Sequence, residues 1–507
     1  MRLRFSLLMV VLPGVLVNAQ VTLPKVLTSH MVVQRDLPVH VWGMAAPGEN
    51  VRVSFRGETR AATAGQLGRW SLYLKPGEAG GPFEMVVKGM PASAAIGAAT
   101  TATTTTITLD DVLVGDVWVA SGQSNMEFRM RQAATADQDL PHAANQRIRL
   151  MIVNQKPSEY ALDDVDSEGW TVSTPETARN FSAVGWYFAQ EIEQREHVPV
   201  GIIDSTWGGT VAETWTRLTA LSEDAALAPV LGSWGKMTER ESDALLRDKD
   251  EQRQREEAKA QGKPEPPFPW HPQLLSWGPG MLWNGMIAPL TPFAIRGVIW
   301  YQGESNSKLE RAPLYERVFS TLIKDWRREW GEGEFPFLFV QISNFKSDAN
   351  EDWATLREQQ RKTLELTNTA MAVTIDIGNP DNVHPTDKVD VGLRLALAAR
   401  ALSYGEDISY SGPMFRQATP EGNVLRVWFE HHAKGLMAKG GTLTGFEVAG
   451  ADGMFVAATA MIDGNTVVVT SPGVAEPIYV RYGWANSPEC NLFNGIGLPA
   501  SPFTSIR

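Results

Sequence analysis

The fold class of this chain is decided by the stretch at positions 112–127, VLVGDVWVASGQSNME. It begins as a nearly continuous apolar run, Val112–Ala120, and then changes to small and polar residues. Continuous apolar runs rich in Val and Ile are typical of parallel strands that are covered on both faces. Runs of the same kind recur at Val200–Thr206, Gly297–Tyr301, Phe337–Ile342 and Met371–Ile377.

Helical patterns lie between these predicted strands, at Ala183–Arg195, Leu314–Glu329 and Trp353–Leu366. Strands that alternate with helices predict an α/β fold with an open, doubly wound parallel sheet. Because sites in such sheets lie beyond the carboxyl ends of the strands, the residues that follow each apolar run become the candidates for chemistry.

Ser124 follows the first run, in the sequence Gly122-Gln123-Ser124-Asn125-Met126. A serine at a strand-to-helix turn exposes its hydroxyl, and its own N–H can hold an oxyanion, as a nucleophile requires. An ordinary helix N-cap is the alternative interpretation of this residue. A lipase-type elbow would read G-x-S-x-G, and this string lacks the last glycine.

His384 lies in the sequence Asp381-Asn382-Val383-His384-Pro385, after the last predicted core strand. A nucleophilic serine needs a histidine base, and a carboxylate usually orients that histidine. The spacing of three residues allows one turn to hold Asp381 against His384.

Two further loops follow core strands. The first contains Gly208 and Gly209, where a backbone N–H could approach an acyl group, although a tight turn is the simpler interpretation. The second, Trp300-Tyr301-Gln302-Gly303-Glu304-Ser305-Asn306, offers the amide of Gln302 and the carboxylate of Glu304. A side-chain amide is a recurrent oxyanion donor, while a loop-capping role is the alternative for Gln302.

The rest of the chain divides around this α/β part. Residues 1–19 read as a signal peptide, with Arg2 and Arg4 before an apolar run and a small-residue cleavage site. Short alternating runs with Pro and Gly turns predict an N-terminal β-sandwich at 20–109. The α/β domain would span 110–410, with a charged insertion at about 222–275, and a β-rich domain would follow at 411–507. A solvated helix and loop is the expected structure of the insertion, and a partner-binding arm is the alternative.

Composition narrows the function classes. The chain has 507 residues with 46 Lys and Arg against 58 Asp and Glu, a net charge of −12, which disfavours nucleic acid as a general partner. Its single cysteine, Cys490, excludes an internal disulfide and a multi-cysteine metal site. After the first 20 residues no apolar run is long enough to span a membrane. Together with the signal peptide predicted at 1–19, this indicates an exported protein, in the periplasm or outside the cell.

The motifs together resemble the sialate O-acetylesterase family of carbohydrate esterases, in the SGNH-hydrolase superfamily. The resemblance rests on GQSNM at 122–126, WGGT at 207–210, WYQGESN at 300–306 and DNVHP at 381–385, and it extends over nearly the whole mature chain. It implies an SGNH-type three-layer α/β/α fold. It also implies Ser124 as nucleophile, His384 as base and Asp381 as its orienting acid, with Glu304 as a rival acid.

The oxyanion hole implied by the resemblance consists of the Ser124 N–H, an N–H from Gly208 or Gly209, and the Gln302 amide. The usual Asn of the superfamily is absent from the third loop, where Gln302 is the nearest equivalent. No metal or organic cofactor is implied. The expected partner is an O-acetylated carbohydrate, with Trp207 and Arg129 as candidate substrate contacts. Arg129 would meet the carboxylate of a sialic acid, and an exposed surface arginine is the alternative.

The expected function is therefore removal of O-acetyl groups from sugars by an exported serine esterase, most closely a sialate O-acetylesterase. One alternative is an acetylesterase that acts on plant cell-wall polysaccharide, either xylan or xyloglucan. A second alternative is a non-catalytic carbohydrate-binding surface protein, which would explain both β-rich ends and the 17 tryptophans.

Overall fold

The structure is a computed structural model that describes residues 21–90, 104–238, 241–268 and 271–506, without the side chains of 241 and 242. The predicted signal peptide lies outside the described residues. The chain forms a mixed α/β structure with a large central sheet and additional β-rich sheets after residue 410.

Seven strands form the N-terminal part and lead into the central sheet. The seventh strand is 18 residues long, and it crosses the boundary that the sequence analysis places between residues 109 and 110. Its first half pairs antiparallel with the sixth strand, and its second half pairs parallel with later strands. The strands are β1 (Val32–Gln34), β2 (Val39–Met44), β3 (Asn50–Phe55), β4 (Glu58–Thr63), β5 (Arg69–Leu74), β6 (Gly80–Met90) and β7 (Thr105–Gly122).

The parallel sheet has the strand order β13-β12-β11-β7-β10-β8, with β9 antiparallel at the edge. The five apolar runs of the sequence supply β7, β10, β11, β12 and β13, so the predicted parallel α/β sheet is confirmed. The strands are β8 (Asn145–Ile152), β9 (Trp170–Ser173), β10 (Val200–Thr206), β11 (Gly297–Tyr301), β12 (Phe337–Gln341) and β13 (Thr369–Val373).

The three helices predicted between the strands are confirmed, with ends shifted by a few residues. Helix α4 begins after Ser182, whose hydroxyl accepts a hydrogen bond from the Gly185 N–H, and α9 ends at Gly331 with a φ of 68°. The helices are α1 (Ser124–Glu127), α2 (Ala136–Asp139), α3 (Pro175–Arg179), α4 (Ala183–Glu196), α5 (Leu218–Ser222), α6 (Ala228–Thr238), α7 (Glu241–Ala260), α8 (Leu274–Trp277), α9 (Tyr315–Trp330), α10 (Trp353–Lys362) and α11 (Val389–Ser403).

Most buried apolar side chains of the N-terminal strands and of the α/β part form one continuous core. The C-terminal strands have a second core, centred on Leu425, Val467 and Tyr482. These strands are β14 (Met414–Glu421), β15 (Val424–Glu430), β16 (Leu436–Ala438), β17 (Phe446–Ala449), β18 (Val456–Ala457), β19 (Thr459–Asp463), β20 (Thr466–Thr470), β21 (Tyr479–Tyr482), β22 (Leu492–Asn494) and β23 (Phe503–Thr504). In the described part of the chain, no helix is both long and apolar enough to span a membrane.

Candidate active site

Ser124 lies where β7 ends and α1 begins, beyond the carboxyl end of the central strand. The turn requires a glycine at 122, because its φ is 134° and a Cβ there would lie 2.2 Å from the Tyr301 carbonyl oxygen. The serine is partly exposed, while its neighbours Gln123 and Asn125 are buried. The hydroxyl is therefore accessible on a rigid support.

His384 faces this serine. Its Nε2 lies 2.8 Å from the Ser124 Oγ, although 260 positions separate the two residues in sequence. Burial lowers the pKa of His384, and the positive charge of Lys388 lowers it further. The imidazole is thus kept neutral near pH 7, as it must be to accept a proton from a hydroxyl.

Asp381 is not bonded to His384. Its side chain is 82% exposed, and its carboxylate lies 3.3 Å from the Lys346 Nζ. Two asparagine turns shape the loop, since Asn379 and Asn382 accept the N–H groups of Asp381 and His384. Because each turn binds the backbone of a different residue, the spacing of three residues does not bring the side chains of Asp381 and His384 together.

Glu304, the rival acid, is not bonded to His384 either. Its Oε1 accepts a hydrogen bond from the Asn125 side-chain amide at 2.5 Å, and its Oε2 is buried without a hydrogen-bond partner. Burial raises the pKa of this carboxyl group. Within the described residues, the Nδ1 of His384 has no hydrogen bond to either carboxylate.

The two glycines of the predicted oxyanion loop are placed differently. Gly208 lies against the nucleophile, because a Cβ on it would be 3.3 Å from the Ser124 Cβ, but its N–H donates to the Glu127 Oε2 at 2.6 Å. The N–H of Gly209 and that of Ser124 have no hydrogen-bond acceptor within the described residues. Gly209 has a φ of 73°, and its carbonyl accepts a hydrogen bond from the Trp277 indole at 2.7 Å.

Gln302 does not reach Ser124, contrary to its predicted role as an oxyanion donor. Its amide is fully buried and donates to the Thr210 carbonyl and to the Asn306 Oδ1, at 3.2 and 2.6 Å. Its Oε1 accepts from the Tyr315 hydroxyl. The amide is therefore saturated by contacts that connect its own loop to the glycine loop and to α9, because a buried amide must find partners nearby.

Arg129, the predicted contact for a substrate carboxylate, is paired with two acidic side chains. It donates to the Asp204 Oδ2 at 2.9 Å and to the Glu127 Oε1 at 3.4 Å, and its side chain is 22% exposed. Because Asp204 is buried at the end of β10, it needs a charged partner, and Arg129 supplies it. The other predicted contact, Trp207, is partly exposed and lines a cavity beside the glycine loop.

The sequence analysis missed a buried lysine and two motif residues that organise the site. Lys388 is fully buried and donates to the Asn125 Oδ1 at 2.6 Å, and the Asn125 amide also donates to the Val383 carbonyl at 3.0 Å. Asn125 thus joins the serine turn to the histidine loop, and Glu127 holds Gly208. Both lie in the quoted motif, but the position of Lys388 four residues after His384 gives no signal by itself.

Burial lowers the pKa of Lys388 to about 7, although the carboxylates of Glu304 and Asp387 act in the opposite direction. Its Nζ also lies 4.7 and 5.4 Å from the ring centres of Phe128 and Tyr301. A buried ammonium group in such a position is held by the surrounding carboxylate, amide and aromatic faces. Its positive charge acts on the serine and histidine pair by lowering the pKa of His384.

Comparisons with known proteins identify the family to which the chain is similar. The family model described as carbohydrate esterase, sialic acid-specific acetylesterase, matches residues 114–232 and 273–403. The chain is 32% identical to the rat sialate O-acetylesterase over 76% of this chain and 74% of that protein. It is 29% identical to the mouse sialate O-acetylesterase over 94% and 92%. A crystal structure of a carbohydrate acetylesterase from Xanthomonas citri aligns with a TM-score of 0.81 at 38% identity, covering 96% of this chain and 99% of the other.

Proposed function

The chain belongs to the carbohydrate esterase family of sialic acid-specific acetylesterases, and we propose that Ser124 and His384 carry out its ester hydrolysis. As a sialate O-acetylesterase-like carbohydrate esterase, the protein is a carboxylic ester hydrolase. This membership removes the alternative of a non-catalytic binding protein. The observation that supports the two residues is the 2.8 Å contact between the His384 Nε2 and the Ser124 Oγ.

The proposed reaction has two steps. In the first, the Ser124 Oγ attacks the acetyl carbonyl carbon while His384 accepts its proton, and the tetrahedral oxyanion receives N–H donors from Ser124 and Gly209. Collapse of this intermediate breaks the bond to the sugar oxygen, which takes the proton from His384. In the second step, water gives a proton to His384 and attacks the acetyl-serine, which releases acetate and restores Ser124.

The donor set differs from the one expected from the sequence. Of the two glycines expected as donors, we choose Gly209, because the Gly208 N–H is bound to Glu127, and Gln302 is left out because its amide is saturated. For the orienting carboxylate we keep Asp381, three residues before the base, with Glu304 as the residue to test against it. A serine-directed phosphonate should label Ser124, and labelling of another residue would refute the assignment.

We propose an O-acetylated sugar as the substrate, outside the cytoplasm. The curated relatives are named sialate O-acetylesterases, which makes an O-acetylated sialic acid the first candidate. The second candidate is acetylated plant polysaccharide, favoured by the engagement of Arg129 with Asp204, which removes the arginine expected to meet a sialate carboxylate. Acetate release from acetylated sialoglycan and from acetylated xylan or xyloglucan distinguishes the two, and release from neither would refute the sugar substrate.

Export to the periplasm or beyond remains part of this proposal, supported by the signal-like sequence at 1–19. The finer fold class is also proposed here, a three-layer SGNH-type domain. Its support is that α4 contacts α11 and that both contact the sheet, while α9 contacts α10. Fractionation of cells that express the full chain tests the location.

A further inference from the structure

The charged insertion lies outside the family match but beside the candidate active site. The family model matches residues up to 232 and again from 273, so most of the insertion, including α7, has no counterpart in it. The segment between residues 232 and 273 is therefore not part of the region that the family model describes.

Short contacts join this segment to the glycine loop. In the insertion, the His271 Nε2 lies 2.9 Å from the Glu251 Oε1, which connects the loop after α7 to that helix. Helix α8 follows directly, and its Trp277 donates to the Gly209 carbonyl. Helix α7 is thus connected through α8 to the loop that faces Ser124.

A cavity of about 190 Å³ lies between the glycine loop and the insertion. Its lining includes Trp207, Gly208 and Gly209 from the loop, and Arg255, Phe268 and Trp277 from the other side. The Arg255 guanidinium lies over the Phe268 ring, 5.2 Å from its centre, and Glu251 is 3.6 Å away. Because Gly208 touches Ser124, the cavity begins beside the nucleophile.

The lining suits a sugar ring better than an acyl chain. Aromatic side chains pack against the apolar face of a ring, and a guanidinium donates to hydroxyl or carboxylate oxygens at its edge. An acetyl group has one methyl and needs neither feature. The volume is below the roughly 300 Å³ at which pockets for larger ligands begin, so it accommodates one ring.

We propose that Arg255 of α7, Phe268 and residues 271–277 form, with the Gly208–Gly209 loop, a subsite for one sugar unit of an O-acetylated glycan. This inference rests on the proposed function, because it assigns the cavity to the alcohol part of the ester that Ser124 attacks. The insertion is then the part of the chain that selects the glycan, and the shared α/β domain performs the hydrolysis.

The experiment compares kcat/KM for two kinds of ester. Arg255→Ala and Phe268→Leu are assayed on 4-nitrophenyl acetate and on acetylated xylo-oligosaccharides and O-acetylated sialyl-oligosaccharides. We expect the ratio of glycan to phenyl ester kcat/KM to fall about tenfold in each variant. Arg253→Ala is the matched control, since Arg253 lies on the same helix with 57% of its side chain exposed, and its ratio should not change.

A ratio that stays within twofold of the unsubstituted protein in both variants would overturn the subsite. So would a selective change toward 4-nitrophenyl butyrate, because the cavity would then hold the acyl group. If one variant does not fold, the other gives the answer.

A binding measurement separates this inference from the proposed chemistry. The Ser124→Ala protein is titrated with the deacetylated oligosaccharides while tryptophan fluorescence is followed, and addition of Phe268→Leu should weaken binding about tenfold. Binding that is unaffected by Phe268→Leu overturns the subsite. Full turnover by Ser124→Ala would instead refute the nucleophile and leave the binding result standing.

Discussion

Charged residues are used in opposite ways beneath the candidate active site and in the insertion beside it. Beneath the serine, the side chains of Asn125, Glu304 and Lys388, which we call the buried triplet, bond to one another away from solvent. In α7, Arg253 is 57% exposed and pairs with Asp250 and Glu257 on its own helix.

The difference separates two tasks. A buried charge costs free energy unless it is paired, so the side chains of the triplet are held in one arrangement. This arrangement also holds the serine turn and the histidine loop in place. Exposed ion pairs on a helix contribute little to stability and leave the surface free to vary. In the proposed mechanism, the alignment of Ser124 and His384 therefore depends on the triplet, and the proposed subsite assigns the choice of substrate to the insertion.

The largest effect should come from the reacting pair above the triplet. We expect Ser124→Ala and His384→Ala each to lower kcat by roughly 10⁴- to 10⁶-fold, because nucleophile and base act as a unit. Acetate release measures the loss, and circular dichroism checks that both variants are folded. Residual activity above about one hundredth in either folded variant would contradict the assignment.

Substitution of the orienting acid should lower activity less than substitution of Ser124 or His384. We expect Asp381→Asn to lose roughly a hundredfold less activity than Ser124→Ala, because the donors and the binding energy remain. Glu304→Gln is the comparison, since it removes the carboxylate of the buried triplet. If Asp381→Asn is silent and Glu304→Gln abolishes turnover, the orienting role belongs to Glu304.

The triplet is tested directly by Lys388→Met, which keeps the length of the side chain and removes its charge. The positive charge of Lys388 adds to burial in lowering the pKa of His384, so its loss raises that pKa, and the acidic limb of kcat/KM should move to higher pH. The charged groups around this pair are Glu304, Asp387 and Asp381, together with Glu127 and Arg129 across the glycine loop.

The matched control is Lys249→Met, the same substitution at an exposed lysine of α7. It should leave the pH profile unchanged. An acidic limb that stays in place in Lys388→Met would show that the triplet does not set the protonation of His384.

The smallest effect should come from the exposed side of the comparison. Arg253→Ala breaks two ion pairs on α7, yet we expect the unfolding temperature to stay within about 1 °C, because solvent screens such pairs. Thermal unfolding followed by circular dichroism measures it. A drop of several degrees would show that the exposed ion pairs of α7 contribute substantially to stability. It would contradict the contrast drawn between these pairs and the buried triplet.

Local patterns were sufficient for the elements and for the reacting pair. The apolar runs predicted the strands β7 and β10–β13, because burial on both faces leaves a continuous hydrophobic signal. Ser124 and His384 were predicted from their places after such strands, and the structure brings them to 2.8 Å. The strand β7 continues through the predicted boundary at 109, although its burial changes there from alternating to continuous.

The roles of Gln302, Arg129 and Gly208 could not be read in the same way. Each carries a group suited to the predicted task, and each bonds that group to a partner far away in sequence: Gln302 to Thr210, Arg129 to Asp204, and Gly208 to Glu127. Whether a donor is free depends on the polar groups that packing places around it. That information is not local.

The sequence by itself determined the α/β class, the order of the strand-end loops and the candidate pair Ser124 and His384, because each follows from periodicity or from a motif within a few positions. The tertiary structure decided which N–H groups of the glycine loop are already bonded, which charge lies near His384, and that the insertion lines a cavity together with the glycine loop. These features depend on the partner that a buried polar group finds across the sheet. That choice is a property of packing, since a buried donor or charge must be satisfied wherever the fold puts it.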